Sequence, residues 1–295
     1  MTGDGFRVVC AGHVNWDVTL QVDRLPDPDG EACIAEQYQS GGGSASNVAV
    51  ALAGLEASPL LLGSVGRDEH GWLVRRELEA AGVETTLVET DGQTAVKYLV
   101  VDESGELLMF GNEGANEAYA ASDLSAEQLS GADHLHLTSQ APDTAAELAE
   151  AASAAGLTVS FDPGRRLADR DYAETVQRSD LLFCNEREAG LLREAGLADA
   201  VSTVVVKHGS GGASAHADGH EVTHPGFAVD PVDTTGAGDA FAAGFLVADG
   251  SDDDIERALA VGNACGALAA RTPGARVQVG WRDVAALLDI GPSSG

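Results

Sequence analysis

Asp233-Thr-Thr-Gly-Ala-Gly-Asp239 runs straight into the apolar stretch Ala240-Phe-Ala-Ala-Gly-Phe-Leu-Val247. Gly236 and Gly238 permit a tight turn with bare backbone N–H groups, and the apolar stretch reads as a helix. Those N–H groups then project from a helix N-terminus, which makes an anion site. Asp239 falls on the first helical turn, where the dipole favours a carboxylate and holds it beside any phosphate the turn receives. A base next to a phosphate suits phosphoryl transfer. A lone Gly-x-Gly capping a buried helix would read the same way, but here seven residues form one unit.

That unit resembles the second signature of the PfkB family of carbohydrate and nucleoside kinases, which have the ribokinase-like fold. Gly42-Gly-Ser-Ala-Ser-Asn47, leading into Val48-Ala-Val-Ala-Leu-Ala-Gly54, resembles the family's first signature. The two stand in the family's order and spacing, and the resemblance runs from about residue 7 to about residue 275. It implies an ATP-dependent kinase acting on a sugar alcohol, with Asp239 as the base. Gly236, Ala237 and Gly238 would donate N–H groups to the transferred phosphoryl group, and Mg²⁺ would share its charge.

Taken in order, Phe6-Arg-Val-Val-Cys-Ala-Gly12 fits a buried parallel strand. Asn15 and Asp17 follow two apart, so in an extended segment both face one side. An Asx turn would use the same residues. The segment Gly12-His-Val-Asn-Trp-Asp17 resembles the family's sugar-binding start, which implies that Asn15 and Asp17 contact hydroxyls. Gly42 and Gly43 allow close backbone approach. Asn47, at a helix start, is either an N-cap or, by the resemblance, a substrate contact. Residues 31–40 and a hairpin over 94–110 turning at Ser104-Gly105 read differently from the rest, and the resemblance implies that such strands form a small β lid over the sugar. Leu60–Gly66 reads as a further strand, and Asp68–Ala81 as an amphipathic helix with Trp72, Leu73, Arg76 and Leu78. Strands His134–Ser139, Leu157–Asp162, Asp180–Asn185 and Thr203–His208 then alternate with helices Thr144–Ala155, Tyr172–Gln177 and Glu186–Glu194. That order gives a parallel sheet with helices on both faces.

Asp162-Pro-Gly-Arg-Arg166 resembles a family segment whose arginine, here Arg166, lies near the donor or an anionic group. Asn185-Glu-Arg-Glu188 resembles its Asn-x-x-Glu motif, tied to Mg²⁺ through water; a helix N-terminus rich in acids would look alike. Lys207-His-Gly-Ser-Gly-Gly212, with Gly209 and Gly212, resembles the strand and turn against which ATP lies. By the same resemblance the Ala-rich helix over Asp252–Ala270, with Asn263, walls the adenine, and the Thr272–Ala275 loop with Asp233 carries a monovalent cation such as K⁺. His134 and His136 share a strand face without a third ligand at metal spacing, and read as structural.

The fold expected is therefore a three-layer α/β ribokinase-like domain with a central, mostly parallel sheet. The core would take residues 1–30, 41–91 and 113–295, and the lid residues 31–40 and 92–112.

Composition narrows the function. The 295 residues carry 47 acids against 17 Lys and Arg, a formal charge of −30, and the lysines number two, Lys97 and Lys207. Acids spread in small groups describe a solvated surface suited to a salty cytoplasm, in the manner of a halophilic archaeon. A nucleic-acid partner is excluded on charge. Cys10, Cys33, Cys184 and Cys265 have no metal spacing and read as reduced core residues. No apolar run approaches a membrane span, so the reading is a soluble cytoplasmic enzyme, with a homodimer through the lid as its expected assembly. Asn15 with Asp17 favours a ribose-like sugar or nucleoside. Lys97 and Arg166 suit an anionic acceptor such as a sugar phosphate or 2-keto-3-deoxygluconate. A sugar sensor that kept the fold is the alternative of another class, against which the intact Asp239 argues.

Overall fold

The computed structural model describes residues 5–290 other than Asp218 and Asp253; residues 1–4 and 291–295, which the sequence reading counted in the core, lie outside the described residues. The strands in chain order are β1 (Arg7–Ala11), β2 (Asn15–Val22), β3 (Ile34–Gly42), β4 (Ser58–Gly66), β5 (Glu84–Thr90), β6 (Ala95–Asp102), β7 (Leu107–Gly111), β8 (His134–Thr138), β9 (Thr158–Asp162), β10 (Leu181–Asn185), β11 (Thr203–Lys207), β12 (Ala213–Ala217) and β13 (His220–His224). The helices are α1 (Ser44–Gly54), α2 (Glu69–Ala80), α3 (Ala126–Ser130), α4 (Pro142–Ala155), α5 (Ala173–Gln177), α6 (Glu186–Glu194), α7 (Ala237–Asp252), α8 (Ile255–Ala270) and α9 (Trp281–Ile290).

Nine strands form one sheet in the order β13-β12-β11-β10-β9-β8-β1-β4-β5. The seven from β11 to β5 run parallel, while β12 and β13 close one edge antiparallel. The central strands are buried on both faces, which is why they read as unbroken apolar runs such as Leu60-Leu-Leu and Leu181-Leu-Phe-Cys. Two apolar clusters, one on each face, hold helices against the sheet. Small residues set the closest helix packing: a Cβ on Gly244 of α7 would come within 2.6 Å of the Cys265 sulfur on α8. Between these helices and the sheet, Phe245 meets Phe183 edge to face at 5.4 Å.

A second sheet, β3-β2-β6-β7, stands apart from the first. Its strand Asn15–Val22 is a correction, since the sequence reading put residues 15–22 in the core. Asn15 to Val22 pairs in parallel with Ala95 to Asp102, a long-range pairing that no local pattern announces. Trp72 departs from the expected helix face as well. It is 55% exposed beneath the Arg76 guanidinium, whereas Val74 and Leu78 are the buried large side chains of α2. Cys33 is exposed and the other three cysteines are buried, all four as free thiols. The long Ala-rich helix begins at Ile255, capped by Asp254, rather than at Asp252.

With 47 acids and 17 basic residues, repulsion in the compact state is strongest in dilute buffer, and molar salt cuts its range to about 3 Å. Melting temperature followed by circular dichroism is therefore expected to rise with NaCl and KCl alike. A fold equally stable in dilute buffer would contradict the salt-adapted surface.

Candidate active site

The chain leaves β1 and β8, neighbours in the large sheet, in opposite directions, toward β4-β5 on one side and β9-β10-β11 on the other. Such a switch point opens a crevice at the carboxyl ends of the strands. His13 follows β1, Ser139 follows β8, Asp162 ends β9 and leads to Arg165, Asn185 ends β10, and Lys207 ends β11; all of them line one cavity of about 460 Å³. A second cavity of about 320 Å³ adjoins it, with Asp17, Gly43, Asn47 and the Thr234–Gly238 turn in its wall. Ser44, Lys97, Met109, Arg165 and Asp239 belong to both. The small sheet supplies Lys97, Leu99, Leu107 and Met109 from above.

At the start of α7, Gly236 has φ +76°, and a Cβ there would lie 2.0 Å from the Ala275 carbonyl oxygen. Only glycine fits that turn. The Ala237 N–H donates to the Thr234 carbonyl at 3.2 Å, so of the three donors expected from sequence it is already engaged. Among the described residues the N–H groups of Gly236 and Gly238 make no hydrogen bond. A Cβ on Gly238 would meet Lys207 Nζ at 3.4 Å, which places the ammonium directly beside the turn.

Asp239 accepts a hydrogen bond from Asn47 Nδ2 at 2.8 Å, leaving the buried Asn47 Oδ1 without a partner. Desolvation pushes the Asp239 carboxyl up to about 6, the Asn47 bond pulls it down, nearby Asp162 pushes it up, and Lys207 and Lys97 draw it down. Asp17 is buried, with Oδ1 unpartnered, and lies so close over Gly42 that a Cβ there would strike its Oδ2 at 2.0 Å. Burial raises its pKa against the pull of Lys97 and Arg276.

Lys207 is ion-paired with Asp162 at 2.6 Å. Desolvation disfavours its charge, but that pair outweighs the burial and leaves its pKa raised. Arg166 is paired with Glu113 at 3.0 Å. Its neighbour Arg165, which the sequence reading passed over, has among the described residues only Met109 Sδ, at 3.9 Å. Lys97 and Arg165 thus face both cavities without a carboxylate ion pair among the described residues. Asn185 and Glu188 form a reciprocal capping box, with both backbone-to-side-chain bonds at 2.9 Å, while lining the larger cavity. Burial and then Asp162 raise the Glu188 pKa.

Other expected contacts have local partners. Asn15 is fully buried and outside both cavity walls; its Oδ1 accepts from Asn116 Nδ2 at 2.8 Å, and Asn116 itself is in the wall. Asn116 carried no sequence signal, because its role depends on a contact 101 residues away. Gly212 meets the backbone of His224, and Gly209 takes a positive φ in the same turn. Asn263 Nδ2 donates to the Leu259 carbonyl at 2.9 Å and lies 3.2 Å from His224 Nδ1. Asp233 accepts from Thr235 N, Gly274 N and Tyr38 Oη. His134 and His136 both bond Ser160 Oγ, in keeping with structural histidines, although His136 Nε2 has no partner.

A desolvated carboxyl beside a bare N–H turn and two ammonium groups can take a proton from a hydroxyl while an anion is transferred to its oxygen. Fold and site together define a phosphotransferase. The chain belongs to the pfkB family of carbohydrate kinases, whose pattern it matches over residues 6–281. It is 57% identical to the ATP-dependent ribose-1-phosphate kinase of Halopiger xanaduensis, over 92% of this chain and 94% of that one. It is 30% identical to the ribokinase of Bacillus subtilis, over 92% and 95%. The crystal structure of ribokinase from Thermotoga maritima superposes with a TM-score of 0.85 at 26% identity, covering 97% of this chain and 99% of that one. The protein is accordingly an ATP-dependent kinase with an alcohol group as acceptor.

With the Asp239 carboxyl raised to about 6, kcat is expected to climb as the pH rises through that value and the carboxylate appears. Asp239→Asn keeps the shape and should lower kcat by about 10²–10⁴-fold, leaving both KM values near wild type. Turnover near wild type, or a kcat profile flat through pH 6, would contradict the role.

Proposed function

We propose that the acceptor is a phosphorylated pentose, ribose 1-phosphate, and that the γ-phosphoryl group of ATP passes to one of its free hydroxyls. The observation that carries this reading is the pair Lys97 and Arg165. In a chain with a 30-charge acidic excess, one cation from the small sheet and one from the loop after β9 line the cavity shared with Asp17 and Asp239, without a carboxylate ion pair among the described residues. An acceptor phosphate supplies the missing anion. The Halopiger xanaduensis relative, named for the same substrate, supports it.

In the reaction, Asp17 and Asn47 hold sugar hydroxyls. The acceptor O–H proton passes to Asp239 as that oxygen bonds the γ-phosphorus, the bond to the β-phosphate oxygen breaks, and ADP leaves. Gly236 and Gly238 N–H groups with Lys207 steady the transferred group. Asp162 and Glu188 fit Mg²⁺, because an ion that keeps waters and phosphate oxygens needs only one or two carboxylates. When bound, Mg²⁺ offsets charge on the phosphates. At the Thr272–Ala275 loop the Asp233 carboxylate already takes three hydrogen bonds, so a K⁺ there would rely on backbone carbonyls.

On the outer face of the small sheet, Tyr98, Leu108 and Phe110 are between 42% and 59% exposed. They are opposite in register to the cavity-facing Lys97, Leu99, Leu107 and Met109. A second copy covering this face gives a homodimer through the lid, working in the cytoplasm where ATP is at hand. Sedimentation should show a dimer that Phe110→Glu converts to monomer.

Lys97→Ala and Arg165→Ala should each raise the KM for ribose 1-phosphate about tenfold or more while changing that for ribose little. A wild-type enzyme that prefers ribose, or variants with unchanged KM for ribose 1-phosphate, would overturn the reading.

A further inference from the structure

Arg276, in the loop between α8 and α9, is a cation with a side chain only 5% exposed. Nη1 pairs with Glu77 Oε2 of α2 at 3.0 Å, and Nη2 donates to the Gly42 carbonyl at 3.3 Å and to Ser46 Oγ of α1 at 2.8 Å. Glu77 Oε2 also accepts from the Gly41 N–H at 2.8 Å, and Ser46 Oγ donates to the Gly42 carbonyl at 2.6 Å. The guanidinium lies flat on Gly41, where a Cβ would fall 1.8 Å from Nη1. Residues 41–43 are therefore held by one buried fork, directly at Gly42 and through Glu77 at Gly41 and Ser46 at Gly43. The adjoining Ala275 carbonyl is the atom packed onto Gly236 of the anion turn. Asp17, lying over Gly42, is faced by three charged groups: Lys97 from β6 and Arg276 attract it, and Asp233 from the loop before α7 repels it.

We propose that Arg276 is a positioning residue for acceptor binding, fixing the Gly41–Gly43 segment beneath Asp17. The fork holds that geometry, while its charge, on the same segment that Asp17 overlies, favours the Asp17 carboxylate, so the two contributions can be separated by substitution. Lysine keeps the charge in the same hole but, as a point ammonium, cannot bridge Glu77, Gly42 and Ser46 together. Glutamine removes the charge, and the buried Asp17 then takes a proton at higher pH than in the wild type. Among the described residues no hydrogen bond or ion pair runs from Arg276 to the Asp162–Lys207 end of the site, so nucleotide binding is not part of its role. The inference rests on the reading of Asp17 as an acceptor contact.

The test measures KM for ribose 1-phosphate and for ATP from about pH 5.5 to 8 in wild type, Arg276→Gln, Arg276→Lys and Asp17→Asn, in high salt. Arg276→Gln is expected to raise the acceptor KM about tenfold at neutral pH, with ATP KM unchanged, and to move the acid rise of acceptor KM to higher pH. Arg276→Lys should raise the acceptor KM while leaving the position of that rise where it is in the wild type. If the glutamine variant melts too low to assay, the lysine variant decides: wild-type acceptor KM overturns the role. An acid rise in the same place in glutamine and wild-type enzymes overturns the charge role. An unchanged acceptor KM in Asp17→Asn instead sinks the acceptor-site reading itself, whereas a raised KM there with wild-type behaviour in both Arg276 variants sinks only the proposal for Arg276.

Discussion

The site depends on the cost of keeping carboxylates out of water. Asp239 and Asp17 both titrate above their ordinary range because burial disfavours their charge, and the groups that counter this are few: Asn47, Lys207 and Lys97 for Asp239, Lys97 and Arg276 for Asp17. A chain this acidic has a surface full of carboxylates needing no partner, since water and salt serve them. Its two lysines are both in the crevice, where a compact ammonium sits beside a desolvated carboxyl and a turn with bare N–H groups. A carboxyl raised to about 6 is mostly ionised at neutral pH, which suits the base role proposed for Asp239.

Topology decides where that balance can be struck. Because β1 and β8 lie side by side while the chain winds away from each in opposite directions, five strand ends deliver short loops to one crevice. The α7 N-terminus faces them, and the small sheet covers the opening with Lys97 and Met109. Two cavities sharing Asp239 match two ligands whose reacting atoms must meet at one carboxyl.

Much of this was legible in the sequence where the signal is local. The glycine turn before α7, the alternating strands and helices from His134 to His208, and the helix over Asp68–Ala81 are each written within a few neighbouring residues, and the structure reproduces them within a residue or two at most ends. What escaped is what depends on distant partners. Strand Asn15–Val22 belongs to the small sheet because residues 95–102 pair with it. Asn15 turns out to be held behind Asn116, and Arg166 is neutralised by Glu113 while the adjacent Arg165 is left facing the cavities. Adjacent arginines of identical chemistry cannot be told apart until the fold shows which one meets a carboxylate. Arg276 likewise follows the Thr272–Ala275 loop without any periodic or motif signal, and its burial against Gly41 appears only once α1, α2 and β3 converge.

The account stands or falls on where the phosphoryl group goes. ³¹P NMR of the wild-type enzyme with ATP, Mg²⁺ and ribose 1-phosphate in molar KCl reads this directly. The account predicts that the γ-phosphate signal of ATP is replaced, one for one, by a new phosphomonoester on a sugar that keeps its original phosphate, with ADP as the other product. Free inorganic phosphate in place of the ester, or an ester formed on ribose but not on ribose 1-phosphate, would contradict it.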